Sequence, residues 1–543
     1  MPTISFSLAD LQNLVGRKFT SEQLEELAEY CKGEFDGCKE DEVSFSLDDT
    51  NLPYLWSVEG IARLIKGALG LQKGIPKLEI SKSSYKIEVS ENIKPIRPFI
   101  AGFVASEGKI DDYLLKQLVQ LQEKFCEGYG RRRQKASVGL YSFKRIEFPV
   151  KYKAVSPDSV KFIPLEGNSE MSLRQILLQH PKGKDYAFIL KDFSLYPILM
   201  DSKGKVLSFP PIINSNDTGK VEVGDSSLFF EVTGTDEDTI LLAANIFAQA
   251  LFERGFEISS VEVNYPNRKV VTPVMFNDSI KINEEDIEKL LGLRLTKLQV
   301  KKYLEMAGYE FKDFTVKIPP YRKDIMHPFD VIEDIAIMYG FRNIKPLKLE
   351  SYTIGGTSEE VHFIDLVREA AVGLGFQEIF SAMLTNKHLL YDNMLVDDFG
   401  TVEIEKYMSE TYSVVRSWLL PGLLEVLSKN KHAEYPQAIF EQGICTVRKP
   451  KVEDRQKIAI AISEDKADFT AAKQALDAIM RLLKLDYSVQ QLDHKSFIAG
   501  RAASIIVKGK TVGMIGEVHP AVLQNWQLDV PVAAIELDLT ELI

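Results

Sequence analysis

Four carboxylates crowd into eleven residues of the stretch IPPYRKDIMHPFDVIEDIAIMYGF, Ile318 to Phe341: Asp324, Asp330, Glu333 and Asp334. Pro319 and Pro320 stiffen the start of the stretch. Pro328 suits a first helical position, where a missing N–H is no loss. From there Phe329, Ile332, Ile335, Ala336 and Tyr339 follow helical spacing and form one apolar stripe. Asp330, Glu333 and Asp334 fall at i, i+3 and i+4 on the other side, with Asp324 in the loop before them. All four acids can therefore converge on one helix end. Like charges at such spacing cost about 0.2–0.5 kcal/mol per pair. A hard divalent cation reverses that sign, and Mg2+ usually takes a few carboxylates plus water. A solvated acidic face, helped by the helix dipole, is the alternative. Spacing alone leaves the two open.

Other reactive side chains form no such set. The seven histidines are scattered, and no metal-spaced pair or Ser-His-Asp set can be read from them. Of the four cysteines, Cys31 and Cys38 are nearest, at a spacing that does not match a zinc pair. Reduced thiols and a cytoplasmic setting are expected. Net charge is −12, which argues against a general nucleic-acid coat. The basic run Arg131, Arg132, Arg133 and Lys135 reads from charge alone as a solvated turn. Gly355 and Gly356 make a turn too short for a phosphate loop.

The elements that position these groups are legible in outline. With 543 residues, 45% hydrophobic and 27% charged, several soluble domains are expected. No apolar run is long enough for a membrane span, and the N-terminus does not read as a secretory signal. Residues 1–85 predict an N-terminal α/β domain, with Thr20 and Ser21 capping one helix and a second helix over Val58 to Leu69. Residues 86–266 predict an α+β block: strands in SYKIEVS, PFIAGFVAS, AFILKD, LFFEVTG and SSVEVNY, and helices over Asp112–Glu127 and Asp238–Arg254. Residues 268–343 predict a small winged or α+β unit, where Thr296 and Gln299 form a capping box and Gly308 closes the helix. Residues 345–543 mix helices such as VHFIDLVREAAVGLGF with strand-like runs such as QEIFSAML.

The acidic stretch resembles the end of the B5 domain in the β-subunit family of phenylalanyl-tRNA synthetases. That pattern is Pro-x-x-Arg-x-Asp, an Asp, a paired Glu-Glu or Glu-Asp, then Tyr-Gly. The resemblance implies Mg2+ on Asp324, Asp330, Glu333 and Asp334. It extends over nearly the whole chain in one order. NLPYLWSVEGIARLIKGALG is similar to the family's N-terminal motif, although Leu52 and Tyr54 stand where Arg and Asp are usual. SWLLPGLLEVLSKNKH and YPQAIFEQG resemble the B6/B7 part, a relative of the class II synthetase fold. The implied fold is a multidomain α+β chain: a B1-like domain, a B3/B4-type editing domain, a B5 domain, and a class II-like antiparallel-sheet domain lacking catalytic motifs.

Activating an amino acid with ATP places charge on phosphate, which fixed cations or Mg2+ must meet. Class II enzymes use arginines in motifs 2 and 3. Tyr435 to Gly443 and Ala502 to Ile543 contain none. No catalytic residue for aminoacylation is therefore expected here. The resemblance implies an α subunit that binds ATP and phenylalanine, an (αβ)2 heterotetramer, and tRNA(Phe) as partner. It further implies the shorter archaeal form.

Hydrolytic editing is assigned to the B3/B4-like block. LSFPPIINSNDTG and FFEVTGTD resemble the archaeal and eukaryotic editing strings and give Ser208, Asn214, Glu231 and Thr233. LQEKFCEGYGRRRQK gives Gln122 and Arg133. By this resemblance Glu231, where Asp is frequent, accepts the phenol hydroxyl of a wrongly attached tyrosine. Arg133 and Gln122 hold the terminal adenosine or the ester, and Ser208, Asn214 and Thr233 orient substrate and water. The rival readings are a free-standing tRNA-editing hydrolase and a non-enzymatic scaffold.

Overall fold

The structure, a computed structural model, describes residues 2–543. The chain forms two compact units, one ending at Leu347 and one spanning Lys348–Ile543.

In the first unit a three-stranded antiparallel sheet comes first, with Glu42–Leu47 between Thr3–Ser7 and Gly33–Lys39. Alternation turns Ile4, Phe6, Val43 and Phe45 inward, against Leu11, Leu24 and Leu27 of two helices, Leu8–Val15 and Ser21–Tyr30. Thr20 caps the second helix in a capping box with Gln23. A further helix, Val58–Ala68, starts at Ser57.

An eleven-stranded mixed sheet follows. At one end Ile213–Asn214, Val206–Phe209, Tyr196–Met200, Val150–Val155 and Lys86–Val89 run side by side. Glu257–Asn264 comes next, then Phe99–Ser106, Leu228–Gly234 and finally Ala136–Ser142. Phe99–Ser106 and Leu228–Gly234 are buried on both faces, which is why their sequences are near-continuous apolar runs. Period two sorts their side chains. Leu228, Phe230 and Val232 pack with the helices Asp112–Glu127 and Glu237–Glu253. Phe229 joins Tyr141 and Tyr152 in the core on the opposite face. Glu231 and Thr233 share that opposite face.

The sheet reaches past the expected limits of 86 and 266. Ile80–Ser81 and Lys269–Thr272 both pair with Glu257–Asn264. AFILKD is not a strand. Ala187–Ile189 is a 3-10 turn following the short helix Pro181–Tyr186.

The last part of this unit is a three-stranded antiparallel sheet with Thr315–Lys317 between Ser279–Lys281 and Glu310–Lys312. Its helices are Glu284–Leu291, Lys297–Met306 and Pro328–Tyr339. Val300, Leu304, Val331, Ile332 and Ile335 form its core.

The second unit is built on a seven-stranded sheet. Its order is Gln377–Glu378, Gln437–Arg448, Val452–Ser463, Val532–Asp538, Lys510–Val518, Phe497–Val507, Tyr487–Gln491. Every pairing is antiparallel except the first. Ile458, Ile460 and Ile535 face the helices Glu359–Gly373 and Phe469–Leu482. Ala459, Ala461 and Ala534 face the helix Leu420–Lys429. Only Gln377 and Glu378 of QEIFSAML enter this sheet. Among the described residues no helix is long and apolar enough to cross a membrane.

Candidate functional site

Two adjacent strands of the large sheet build the most chemically pointed site. In their antiparallel register Glu231 lies opposite Gly139, Thr233 opposite Ser137, and Phe229 opposite Tyr141. Period two therefore puts Ser137, Gly139, Tyr141, Glu231 and Thr233 on one face. Gly139 makes room there. A Cβ at that position would stand 2.5 Å from Glu231 Oε1 and 2.4 Å from the Tyr141 hydroxyl oxygen.

Glu231 is 3% exposed and has no cationic partner in an ion pair among the described residues. The Tyr141 hydroxyl lies 2.7 Å from Glu231 Oε1 and 2.8 Å from Ser208 Oγ. A phenol carries one hydrogen. With Glu231 ionised, Tyr141 donates to the carboxylate and Ser208 donates to Tyr141. Glu231 Oε2 is buried with no partner. Burial pushes the Glu231 pKa up to about 7, against the opposing Tyr141 hydrogen bond and the Arg97 charge.

Glu231 lines a cleft of about 480 Å3. Gln122, Arg133, Ser208 and Asn214 line it too. Ala136–Ser142 is an edge strand, and two of these residues satisfy its outward carbonyls. Gln122 Nε2 donates to Val138 O at 2.7 Å, and Asn214 Nδ2 to Leu140 O at 3.2 Å. Arg133 crosses the cleft wall. Its Nη1 donates to the carbonyls of Pro211 and Ile212, and its guanidinium covers the Tyr186 ring at 4.1 Å. The basic run is thus a turn, but not a wholly solvated one. Arg131, Arg132 and Arg133 all have positive φ, between 50° and 63°.

Thr233 departs from expectation. It is fully buried and lies outside the cleft lining. Its hydroxyl accepts from Arg97 Nε at 3.0 Å and lies 3.3 Å from Ser137 Oγ. It holds Arg97 rather than facing a ligand. Tyr141, Ser137, Arg97 and His180 join the site without a local signature in the sequence that sets them apart. His180 lines the cleft, and its Nδ1 is buried without a partner. A lone arginine before an apolar strand, IRPFIAGF, was the available signal for Arg97.

The four acids do not meet at one point. Arg322, buried beside the rings of Tyr54 and Tyr309, reaches Asp324 with Nε and Nη2 and Asp334 with Nη1 at 2.7 Å. The Tyr309 hydroxyl donates to Asp334 at 2.5 Å. Lys32 lies 3.0 Å from Glu333 and 3.5 Å from Asp334. Asp330 Oδ2 accepts the N–H groups of Met326 and His327 at the helix start. Burial alone would raise the Asp334 pKa, but Arg322 and Lys32 hold it below the ordinary carboxylate value. Among the described residues no three His, Cys, Asp or Glu side chains are arranged to hold a metal. As they stand, these residues do not fit a cation bound by all four acids, because protein cations and backbone N–H groups already take at least one oxygen of each.

In the second unit, an arginine from outside the sheet fills the face of Gln437–Arg448. Arg416 Nη1 pairs with the buried Glu441 at 2.6 Å, and its Nε donates to Ile444 O. A Cβ at Gly443 would stand 2.2 Å from Arg416 Nη2. Glu536 accepts the N–H groups of Leu419 and Leu420 and pairs with Lys457 at 3.0 Å. These charges are matched within the domain.

The sequence comparisons place this architecture among the aminoacyl-tRNA synthetases. Residues 280–341 match the family model of the tRNA synthetase B5 domain, and residues 346–539 that of the phenylalanyl tRNA synthetase beta chain CLM domain. The phenylalanine–tRNA ligase beta subunit of Thermococcus sibiricus is 42% identical over 99% of this chain and 98% of its own. That of Pyrococcus horikoshii is 42% identical over the full length of both. The crystal structure of an N-terminal fragment of the Pyrococcus horikoshii phenylalanyl-tRNA synthetase beta subunit superposes with a TM-score of 0.61. It is 40% identical and covers 62% of this chain and all of the fragment. The chain belongs to the phenylalanine–tRNA ligase beta-subunit family, in its archaeal form.

Proposed function

We propose that this chain is the non-synthetic partner of an α subunit and carries the editing site of the ligase. In this reading the cleft over Glu231 hydrolyses tyrosine wrongly attached to tRNA(Phe). The observation that carries it is Glu231 Oε2, a buried oxygen without a donor lining a cleft. The tyrosine phenol supplies that donor, and phenylalanine leaves the oxygen bare. Sites that bind a substrate hydroxyl reject the analogue lacking it by about 10⁴–10⁵. Water attacks the ester carbonyl and the bond to the ribose oxygen breaks. Free tyrosine and uncharged tRNA are released. Gln122 and Asn214 keep the edge strand in place, and Arg133 and Ser208 shape the wall.

The B3/B4 character of the large sheet and the class II ancestry of the second unit belong to the same proposal. So does a four-domain division, with its first two junctions moved to before Ile80 and after Thr272. Assembly as (αβ)2, a cytoplasmic setting, and ATP bound mainly by the α subunit rest on family membership. The internal pairing of Arg416 and Lys457 supports a second unit that does not activate phenylalanine. Mg2+ at Asp324, Asp330, Glu333 and Asp334 rests on the resemblance alone. It requires Arg322 and Lys32 to release these acids on assembly, so no step is routed through it. Mg2+ raising the unfolding midpoint of the αβ complex, but not of Glu333→Gln, would support that site.

The test is deacylation of Tyr-tRNA(Phe) and Phe-tRNA(Phe) by this chain alone, its α partner alone and the two mixed, alongside phenylalanylation. The proposal expects synthesis only in the mixture. It also expects deacylation selective for tyrosine that Glu231→Ala abolishes. Deacylation by this chain alone with no effect on synthesis would favour a free-standing hydrolase. No deacylation at all would leave a scaffold.

A further inference from the structure

We propose that Arg97 is the positioning residue of the cleft: its buried guanidinium locks the 131–135 turn to Thr233 and so sets where Arg133 crosses the cleft wall. This inference rests on the editing reading for its consequence in catalysis, but not for its structural content.

Arg97 is 1% exposed and makes no ion pair among the described residues. All five of its N–H bonds are directed at neutral groups. Nε donates to Thr233 Oγ1 at 3.0 Å. Nη1 donates to the carbonyls of Arg133 and Gln134, at 3.0 and 3.1 Å. Nη2 donates to Ser137 Oγ at 3.0 Å and Thr233 O at 2.6 Å. A planar fork of five donors can do this, whereas an ammonium on a flexible stem cannot.

The turn needs such a lock. Three successive non-glycine residues in the left-handed region cost roughly 1–2 kcal/mol each, and Arg131, Arg132 and Arg133 are such a run. Two carbonyls of that turn point at one guanidinium, which offsets the strain. The last residue of the run is Arg133, whose side chain then reaches the Pro211 and Ile212 carbonyls across the cleft. Arg97 does not itself line the cleft, but it holds two residues that do, Arg133 by its carbonyl and Ser137 by its hydroxyl. Its hold on Arg133 runs through the turn.

The experiment compares Arg97→Lys, Arg133→Ala and the double variant in the αβ complex. It measures deacylation of Tyr-tRNA(Phe) against Phe-tRNA(Phe) and amide hydrogen exchange across Arg131–Lys135. The ratio of the two deacylation rates does not depend on how much protein is folded. Arg97→Lys is expected to lower that ratio by about tenfold and to speed exchange in the turn. The double variant is expected to lose no more than Arg133→Ala alone, because Arg97 sets the selectivity by placing Arg133. Unchanged exchange in Arg97→Lys, or losses that multiply in the double variant, would overturn the inference. A wild-type complex without deacylase activity would overturn the editing reading instead, while the exchange measurement still decides the role of Arg97.

Discussion

The two buried acidic clusters of the first unit solve the same problem in opposite ways. Around Asp334 every carboxylate oxygen that leaves water meets a cation, a phenol or an N–H. Around Glu231 one oxygen is met by Tyr141 and the other by nothing. Asp334 is consequently held ionised and Glu231 pushed toward neutrality, though both are almost inaccessible. Burial therefore does not separate these two acids. The count of donors does, since a buried acceptor left without one costs about 1–3 kcal/mol unless a ligand supplies it.

The sharpest way to break this contrast is Arg322→Met. It leaves Asp324 and Asp334 buried without their shared cation, and a loss of about 3–5 kcal/mol is expected in denaturant unfolding of the first unit. A small loss would mean that this cluster too is loosely satisfied.

Next in size is the pH dependence of Glu231. Its folded pKa of about 7 exceeds the ordinary 4.5, so the folded chain holds a proton that the unfolded chain has released. That stabilisation is complete below about pH 4.5 and is lost as pH rises to about 7, a change of about 3 kcal/mol. Glu231→Gln is expected to remove this slope, read as the difference between the two proteins' unfolding midpoints across that range.

Tyr141→Phe should cost about 1–2 kcal/mol, because it strips the remaining donor from Glu231 and leaves Ser208 unpaired. The same variant should lower tyrosine-selective deacylation. At the small end, Arg342→Ala removes an exposed pairing with Glu26 and Glu29. No resolvable shift in the midpoint is expected.

Local signals are legible in the sequence. The helix Asp112–Glu127, the capping box of Thr296 and Gln299, and Pro328 at a helix start each depend on residues a few positions apart. The strand expected in AFILKD failed because a short apolar run has no period that separates a turn from a strand. Three of the acids lie on one helix and Asp324 lies in the loop before it, as expected, but Lys32, which meets Glu333, is 301 positions away in sequence. Five of the six residues expected at the editing site line one cleft. The role of Tyr141 follows from strand register, and that of Arg97 from partners 36 to 136 positions away. Nothing local in the sequence states that Gly139 will face Glu231.

The strand Glu257–Asn264 has a consequence for how the chain is made. It holds Ile80–Ser81 and Lys86–Val89 on one side of the chain's history and Lys269–Thr272 on the other. The Ser83 hydroxyl meets the Ser260 carbonyl across 177 positions. During synthesis the earliest strands of the sheet must wait, with their edges open, until this late strand leaves the ribosome. Such long-range closure is slow and leaves a nascent chain open to aggregation. The cleft's sheet thus gains its full support only once Glu257–Asn264 has emerged, and nascent-chain lengths ending before Glu257 are where chaperone dependence should be greatest.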